Sequence, residues 1–141
     1  KGSIHIKSTN PEDPPTIKFN FLSNSLDRDT LVSGVKLIRK LMKSETMKEF
    51  CGEEVQPGES CSSDDDILKF IRDKAETVYH PSGTCKMGFD QESVVDKNLK
   101  VHGIKGLRIA DASIMPTLVS GNTNAVCMMI GERCADFILN N

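Results

Sequence analysis

The run NAVCMMIGERCADFILNN, residues 124 to 141, is apolar on almost every side through its first half and turns one-sided only later, at Cys134, Phe137 and Ile138. A helix that begins apolar all round begins inside something. The start of this helix is therefore expected to be enclosed, which leaves the regular elements of the rest of the chain to be found.

Earlier segments read as such elements. GSIHIKS, residues 2 to 8, alternates Ile4 and Ile6 with His5 and Lys7, and TIKFNFL, residues 16 to 22, alternates Ile17, Phe19 and Phe21 with Lys18 and Asn20. Period two predicts two half-buried strands, joined by the proline-rich loop NPEDPP. SLDRDTLVSGVKLIRKLMKSE, residues 25 to 45, predicts an amphipathic helix with Leu31, Val35, Ile38 and Met42 on its buried stripe, acids near its start and bases near its end. Ser63 can cap a second helix, DDDILKFIRDKAETVY, residues 64 to 79, whose stripe is Ile67, Phe70, Ile71 and Ala75. GLRIAD, residues 106 to 111, reads as a short buried strand. The order strand, strand, helix, helix, loop, strand, helix predicts a mixed α/β (α+β) architecture.

Length and composition set further limits. At 141 residues the chain can close a core of its own. A net charge of -2 gives no basic footprint for nucleic acid, so no nucleic-acid partner is expected. No run reaches the roughly 18 apolar residues of a membrane span, and KGSIHIKST lacks the apolar core of a secretory signal. Either the protein is intracellular or its targeting segment lies outside this chain; the expected location is cytoplasmic, with peripheral attachment to a membrane left open. The abrupt start, with no initiator methionine, suggests a fragment. Five cysteines, at 51, 61, 85, 127 and 134, form no C-x-x-C pair, and reduced thiols are expected, with a bridge from Cys51 to Cys61 as the other reading. Cys127 and Cys134 read as small core hydrophobes.

Two clusters hold side chains able to do chemistry. The first is YHPSGTCKMG, residues 79 to 88, where His80 stands at the expected end of the second helix with Pro81, Gly83, Thr84 and Lys86 close by. His80 can be a helix-terminal histidine pairing with the last carbonyls, or an acid-base group in a shaped loop. A metal reading lacks ligands, since H-x-x-x-x-C supplies two of the three or four required. A nucleophilic Cys85 would need a contact with His80 that spacing does not show. His5 and His102 read as surface or structural. The second cluster is DASIMPTLVSGNTNAV, residues 111 to 126, where Asp111 ends the GLRIAD segment and Asn122, Thr123 and Asn124 open the apolar helix. Strand ends and helix starts are where α/β folds gather ligands, yet Asn122 and Asn124 can equally be plain N-caps.

Taken together, HPSGTCKMG, VVDKNLKVHGIKGLRIADASIMP, SGNTNA and MMIGERCADFI resemble the carboxyl-terminal segment of the glucose–methanol–choline oxidoreductases, nearest to the choline dehydrogenase and alcohol dehydrogenase branch, over residues 79 to 138. The resemblance implies an FAD enzyme that takes hydride from an alcohol carbon. It implies catalytic roles for His80 and for Asn122, whose position holds histidine in some members and asparagine in others. It also implies cofactor contacts at Asp111, Ala112, Thr123 and Asn124. On that template residues 1 to 78 belong to a substrate domain built on an antiparallel sheet, and residues 79 to 141 complete an FAD-binding domain of Rossmann type. The implied partners are an alcohol substrate (choline or another primary alcohol), a quinone or other electron acceptor, and an amino-terminal FAD-binding segment. The glycine-rich dinucleotide fingerprint is absent from this sequence, so the chain is not expected to hold FAD or turn over unaided. The contrasting reading is an inert fragment or binding module that keeps the scaffold without catalysis.

Overall fold

The computed structural model of the chain describes residues 1–140, so Asn141 at the end of the expected last helix lies outside the described residues. The fold is mixed α/β, with one two-stranded antiparallel sheet, three α-helices and a single 3-10 turn among the described residues. The chain divides into two compact units, Lys1–Glu76 and Thr77–Asn141.

In the first unit, β1 (Ser3–His5) pairs with β2 (Thr16–Lys18) in the register Ser3↔Lys18, Ile4↔Ile17, His5↔Thr16. The strands are shorter than the alternation predicts, and their apolar side chains are exposed rather than half-buried, Ile17 at 53%. Phe19 and Phe21, beyond the end of β2, stack with ring centroids 5.1 Å apart. Helix α1 (Ser25–Met42) starts where Asn24 accepts from the amide of Leu26 at 2.9 Å, with Asp27 in its first turn and Arg39 and Lys40 in its last, as its dipole favours. Helix α2 (Asp64–Lys74) opens with a reciprocal capping box between Ser63 and Asp66, and it packs on α1. The Asp66 carboxyl is held below its ordinary pKa, first by the Ser63 hydroxyl and then by the Ser63 amide.

The expected stripe of α1 is not the one it buries. Val32 is buried and Val35 half-buried against Ile67 and Ile71 of α2, whereas Leu31, Ile38 and Met42 are exposed. The helix carries more apolar residues than one face can hold, and α2 selects the face. Arg39, one of the bases near the helix end, lies on the covered side. Its Nε donates to both carboxylate oxygens of Glu54 at 2.9 and 3.0 Å, Nη1 donates to the Cys61 carbonyl at 2.7 Å, and Nη2 donates to the Gly58 carbonyl at 3.0 Å. One guanidinium thereby ties the loop 54–61 to the helix, a use suited to the planar fork of arginine. Cys51 and Cys61 are free thiols, without the bridge held open in the sequence.

The second unit is built from turns around a small core of Val95, Leu99, Ile114, Met115, Ile130 and Cys134. Asp96 shapes one of these turns by accepting from the amides of Asn98 at 2.8 Å and Lys100 at 2.9 Å. This places Leu99 at φ 64, a conformation that costs a non-glycine residue roughly 1–2 kcal/mol. Leu99 is almost fully buried, and burying a leucine is worth about 1.5–3 kcal/mol, enough to offset the strain. GLRIAD is not a buried central strand. Val101 donates to Leu107 O at 3.0 Å and Ile109 donates to Leu99 O at 3.1 Å, so residues 107 to 109 form one arm of a minimal hairpin whose single bridge is Lys100↔Arg108. The tight turn before it, with Gly103 and Gly106 at positive φ, leaves too few residues in register for a longer pairing. Arg108 then donates to the carbonyl of Phe137, fastening the hairpin to α3 (Asn124–Leu139).

Candidate functional site

His80 does not end a helix. Helix α2 stops at Lys74, short of the expected Tyr79, and Ala75, expected on its buried stripe, is the extended and exposed C-cap. Tyr79 sits in the left-handed region at φ 59, directly before His80, and both belong to the second unit. Gly83, at φ 83, makes the next bend; a β-carbon there would stand 3.2 Å from the Met115 carbonyl. From that point the decad runs beside the second cluster. The amides of Gly83, Cys85 and Met87 donate to the carbonyls of Ala112, Ser113 and Ile114 at 3.2, 2.9 and 2.8 Å.

The acceptors of those bonds belong to the 3-10 turn Ala112–Ile114, which Asp111 caps by accepting from the Ser113 amide at 2.7 Å. Ile114 and Met115 enter the same core as Ile130, so the 3-10 turn is fixed to α3. Two sequence clusters about thirty residues apart are thus joined by three backbone bonds and a shared core.

At the start of α3 the N-cap is Thr123, not Asn122 or Asn124, and its side chain makes no capping bond. Its Oγ1 lies 2.9 Å from Nδ1 of His80, forty-three positions away in the chain. Thr123 is buried at 7% exposure and His80 is half-buried. Asn122, directly before Thr123, is exposed, and Asn124 is the first residue of α3 and also exposed. Asp111 is exposed and Ala112 half-buried. The fold therefore brings His80 to Thr123, and so to within one residue of Asn122 along the backbone. It joins Asp111 and Ala112 to the decad through the Gly83 bond.

The other polar groups of the decad turn elsewhere. Lys86, expected beside His80, lies 3.1 Å from Asp90 Oδ1 and 3.6 Å from Glu92, and its pKa is raised chiefly by the hydrogen bond to Asp90. Cys85 is a half-buried free thiol. His102 is exposed and donates from Nε2 to the Gly88 carbonyl at 3.0 Å. Among the described residues, no group of three His, Cys, Asp or Glu is placed to hold a metal ion, and no helix is long and apolar enough to cross a membrane.

Sequence reasoning missed Thr123 as the partner of His80. A threonine between two asparagines at a helix start reads as one more cap, and nothing local shows that its hydroxyl leaves the helix for a residue beyond the core.

Residues 1–131 match the family model described as GMC oxidoreductase. The chain belongs to the GMC oxidoreductase family. An Escherichia coli oxygen-dependent choline dehydrogenase is 44% identical over 138 residues, 98% of this chain and 25% of that protein. Among solved structures, pyridoxine 4-oxidase from Mesorbium loti superposes with a TM-score of 0.91 at 30% identity, covering 99% of this chain and 27% of that one. An FAD-dependent oxidoreductase from Chaetomium thermophilum also gives a TM-score of 0.91, at 31% identity over 97% of this chain and 24% of that one. This GMC oxidoreductase chain thus spans about a quarter of the length of the relatives it matches.

Proposed function

We propose that this chain carries the proton-handling part of an FAD-dependent oxidoreductase that oxidises the CH–OH group of an alcohol, choline or another primary alcohol. Residues 1 to 78 belong on this reading to its substrate domain, and residues 79 to 141 complete its FAD-binding domain. The observation that supports this best is the hydrogen bond between His80 and Thr123, because it brings a half-buried imidazole to the start of α3, beside Asn122.

The residues here fit one edge of the cofactor. A helix start that no side chain caps leaves amide donors for electron-rich ring atoms, and the dipole of α3 favours negative charge at that end. Thr123 and Asn124 border it. Asp111 spends one carboxylate oxygen on the Ser113 amide and retains acceptor capacity for a ribityl hydroxyl, with Ala112 beside it. FAD, when bound, supplies the two-electron acceptor for hydride.

The chain's own residues handle the other half of the reaction. His80 takes the hydroxyl proton as the alcohol carbon gives up hydride, and the alcohol becomes an aldehyde. Asn122 donates an N–H to the same oxygen, steadying its negative charge without competing as a base. A quinone or another acceptor would be the partner that reoxidises the loaded enzyme, and oxygen is among the candidates raised by the name of the Escherichia coli relative.

The test is anaerobic stopped-flow reduction of the full-length, FAD-loaded protein by choline and by a panel of primary alcohols. His80→Gln is expected to slow reduction by ~100-fold or more while FAD stays bound. An unchanged rate removes His80 from the mechanism.

A further inference from the structure

Thr123 is the one buried polar residue among those described, at the position where a helix ordinarily spends a hydroxyl on its own first turn. A threonine N-cap that keeps its capping bond contributes about 1 kcal/mol. Here that contribution is forgone: the side chain makes no cap bond, and the hydroxyl is directed to Nδ1 of His80 at 2.9 Å. Thr123 stands at φ -76 and ψ -14, helical rather than the extended conformation from which a cap reaches the first-turn amides, so its buried hydroxyl takes another partner. The choice of an imidazole nitrogen instead carries information about the imidazole.

We propose that Thr123 is a positioning residue for His80, its hydroxyl accepting from Nδ1–H and so holding the ring with Nε2 unprotonated and directed away from α3. This rests on the reading of His80 as the group that takes the hydroxyl proton. A neutral imidazole carries one hydrogen, and which nitrogen bears it follows from the bond the other side makes. With Nδ1–H donated to Oγ1, the lone pair is on Nε2, the only ring nitrogen left to meet a substrate. When Nε2 gains the proton, Nδ1 still carries its hydrogen and the bond to Thr123 persists unchanged. The hydroxyl therefore serves both protonation states without rotating. A carboxylate in the same place would bind the charged state far more strongly than the neutral one, whereas a neutral hydroxyl orients the ring with little such bias.

Three substitutions in the full-length, FAD-loaded protein test this. Thr123→Val keeps the shape and removes the hydroxyl, Thr123→Ser keeps the hydroxyl, and Thr123→Ala serves if valine prevents folding. Loss of an orienting partner typically costs ~10- to 100-fold. The expected result is that loss in the flavin-reduction rate for Val or Ala, with KM nearly unchanged, FAD content full and most of the rate restored in Ser. A Val or Ala variant that reduces at the wild-type rate, while His80→Gln does not, overturns the role of Thr123 and leaves that of His80 intact. Equal losses in Val and Ser, or a loss that tracks FAD content or melting temperature, overturn it as well, because either outcome assigns Thr123 to packing or cofactor retention. If His80→Gln itself has no effect, the reading beneath the proposal fails first, and the proposal with it.

Discussion

The amide of Gly83 donates to the carbonyl of Ala112 at 3.2 Å, and this bond is the first of three that lay the His80 loop along the 3-10 turn. Gly83 makes it at φ 83, with the Met115 carbonyl 3.2 Å from where a β-carbon would stand.

Replacing Gly83 therefore disturbs the loop twice, through a left-handed conformation and through a close contact with backbone. Gly83→Ala is expected to destabilise the full-length protein by about 1–3 kcal/mol. It is also expected to lower the alcohol-driven reduction rate more than it raises KM, because His80 lies three residues before the displaced bond. Thermal melting and stopped-flow reduction on the same preparation measure both effects, and a variant with wild-type melting and rate would show that the loop does not depend on this bend.

Arg39 concentrates four donor contacts on Glu54, Gly58 and Cys61, with the charged pair only about one-fifth exposed. Its pKa is raised, first by the hydrogen bond to Glu54, so the charge is never lost in the folded state. Arg39→Met is expected to cost about 2–3 kcal/mol, since it strands a carboxylate and two carbonyls. Arg39→Lys is expected to recover only part of this, because an ammonium cannot reproduce the fork. Urea titrations that found all three proteins equally stable would dismiss the hub.

Asp96 provides a pH signature. Burial works to raise its pKa, but the amides of Lys100 and then Asn98 outweigh it, so the folded value lies below the ordinary one. A depressed folded pKa means a contribution to stability that is fully present above the unfolded pKa and fades as pH falls through the folded one. Asp96→Asn removes that titration. The wild type is expected to lose stability more steeply than Asp96→Asn as pH is lowered from neutrality through the carboxylate range, and parallel melting curves across that range would exclude Asp96 as a contributor.

Much of this was legible without coordinates wherever the deciding physics is local. The cap at Ser63, the acid-first polarity of α2 and the existence of the last helix each follow from residues within a turn of one another, whereas the expected enclosure of that helix start does not hold, since Met128 and Met129 are exposed. The expected stripe of α2 was legible in part: Ile67 and Ile71 are buried, whereas Phe70 is half-buried and Ala75 is exposed beyond the helix end. The family resemblance was legible because its motifs are contiguous.

Other features depend on which element lies across the gap. In α1, Leu31 and Ile38 are as apolar as Val32 and Val35, and only the position of α2 decides that the second pair is covered. The length of GLRIAD's pairing depended on how many residues of a neighbour fell into register, which alternation within the segment cannot report.

By itself, then, the sequence determined the three helices, the cap at Ser63, the family and the two clusters able to do chemistry, because each is written in neighbouring residues. The tertiary structure alone decided that the imidazole of His80 meets the hydroxyl of Thr123, and that this hydroxyl leaves its own helix uncapped. The physical reason is that a hydrogen bond across forty-three positions depends on the packing of a core that holds Ile114, Met115 and Ile130 together, and no short window of residues contains that information.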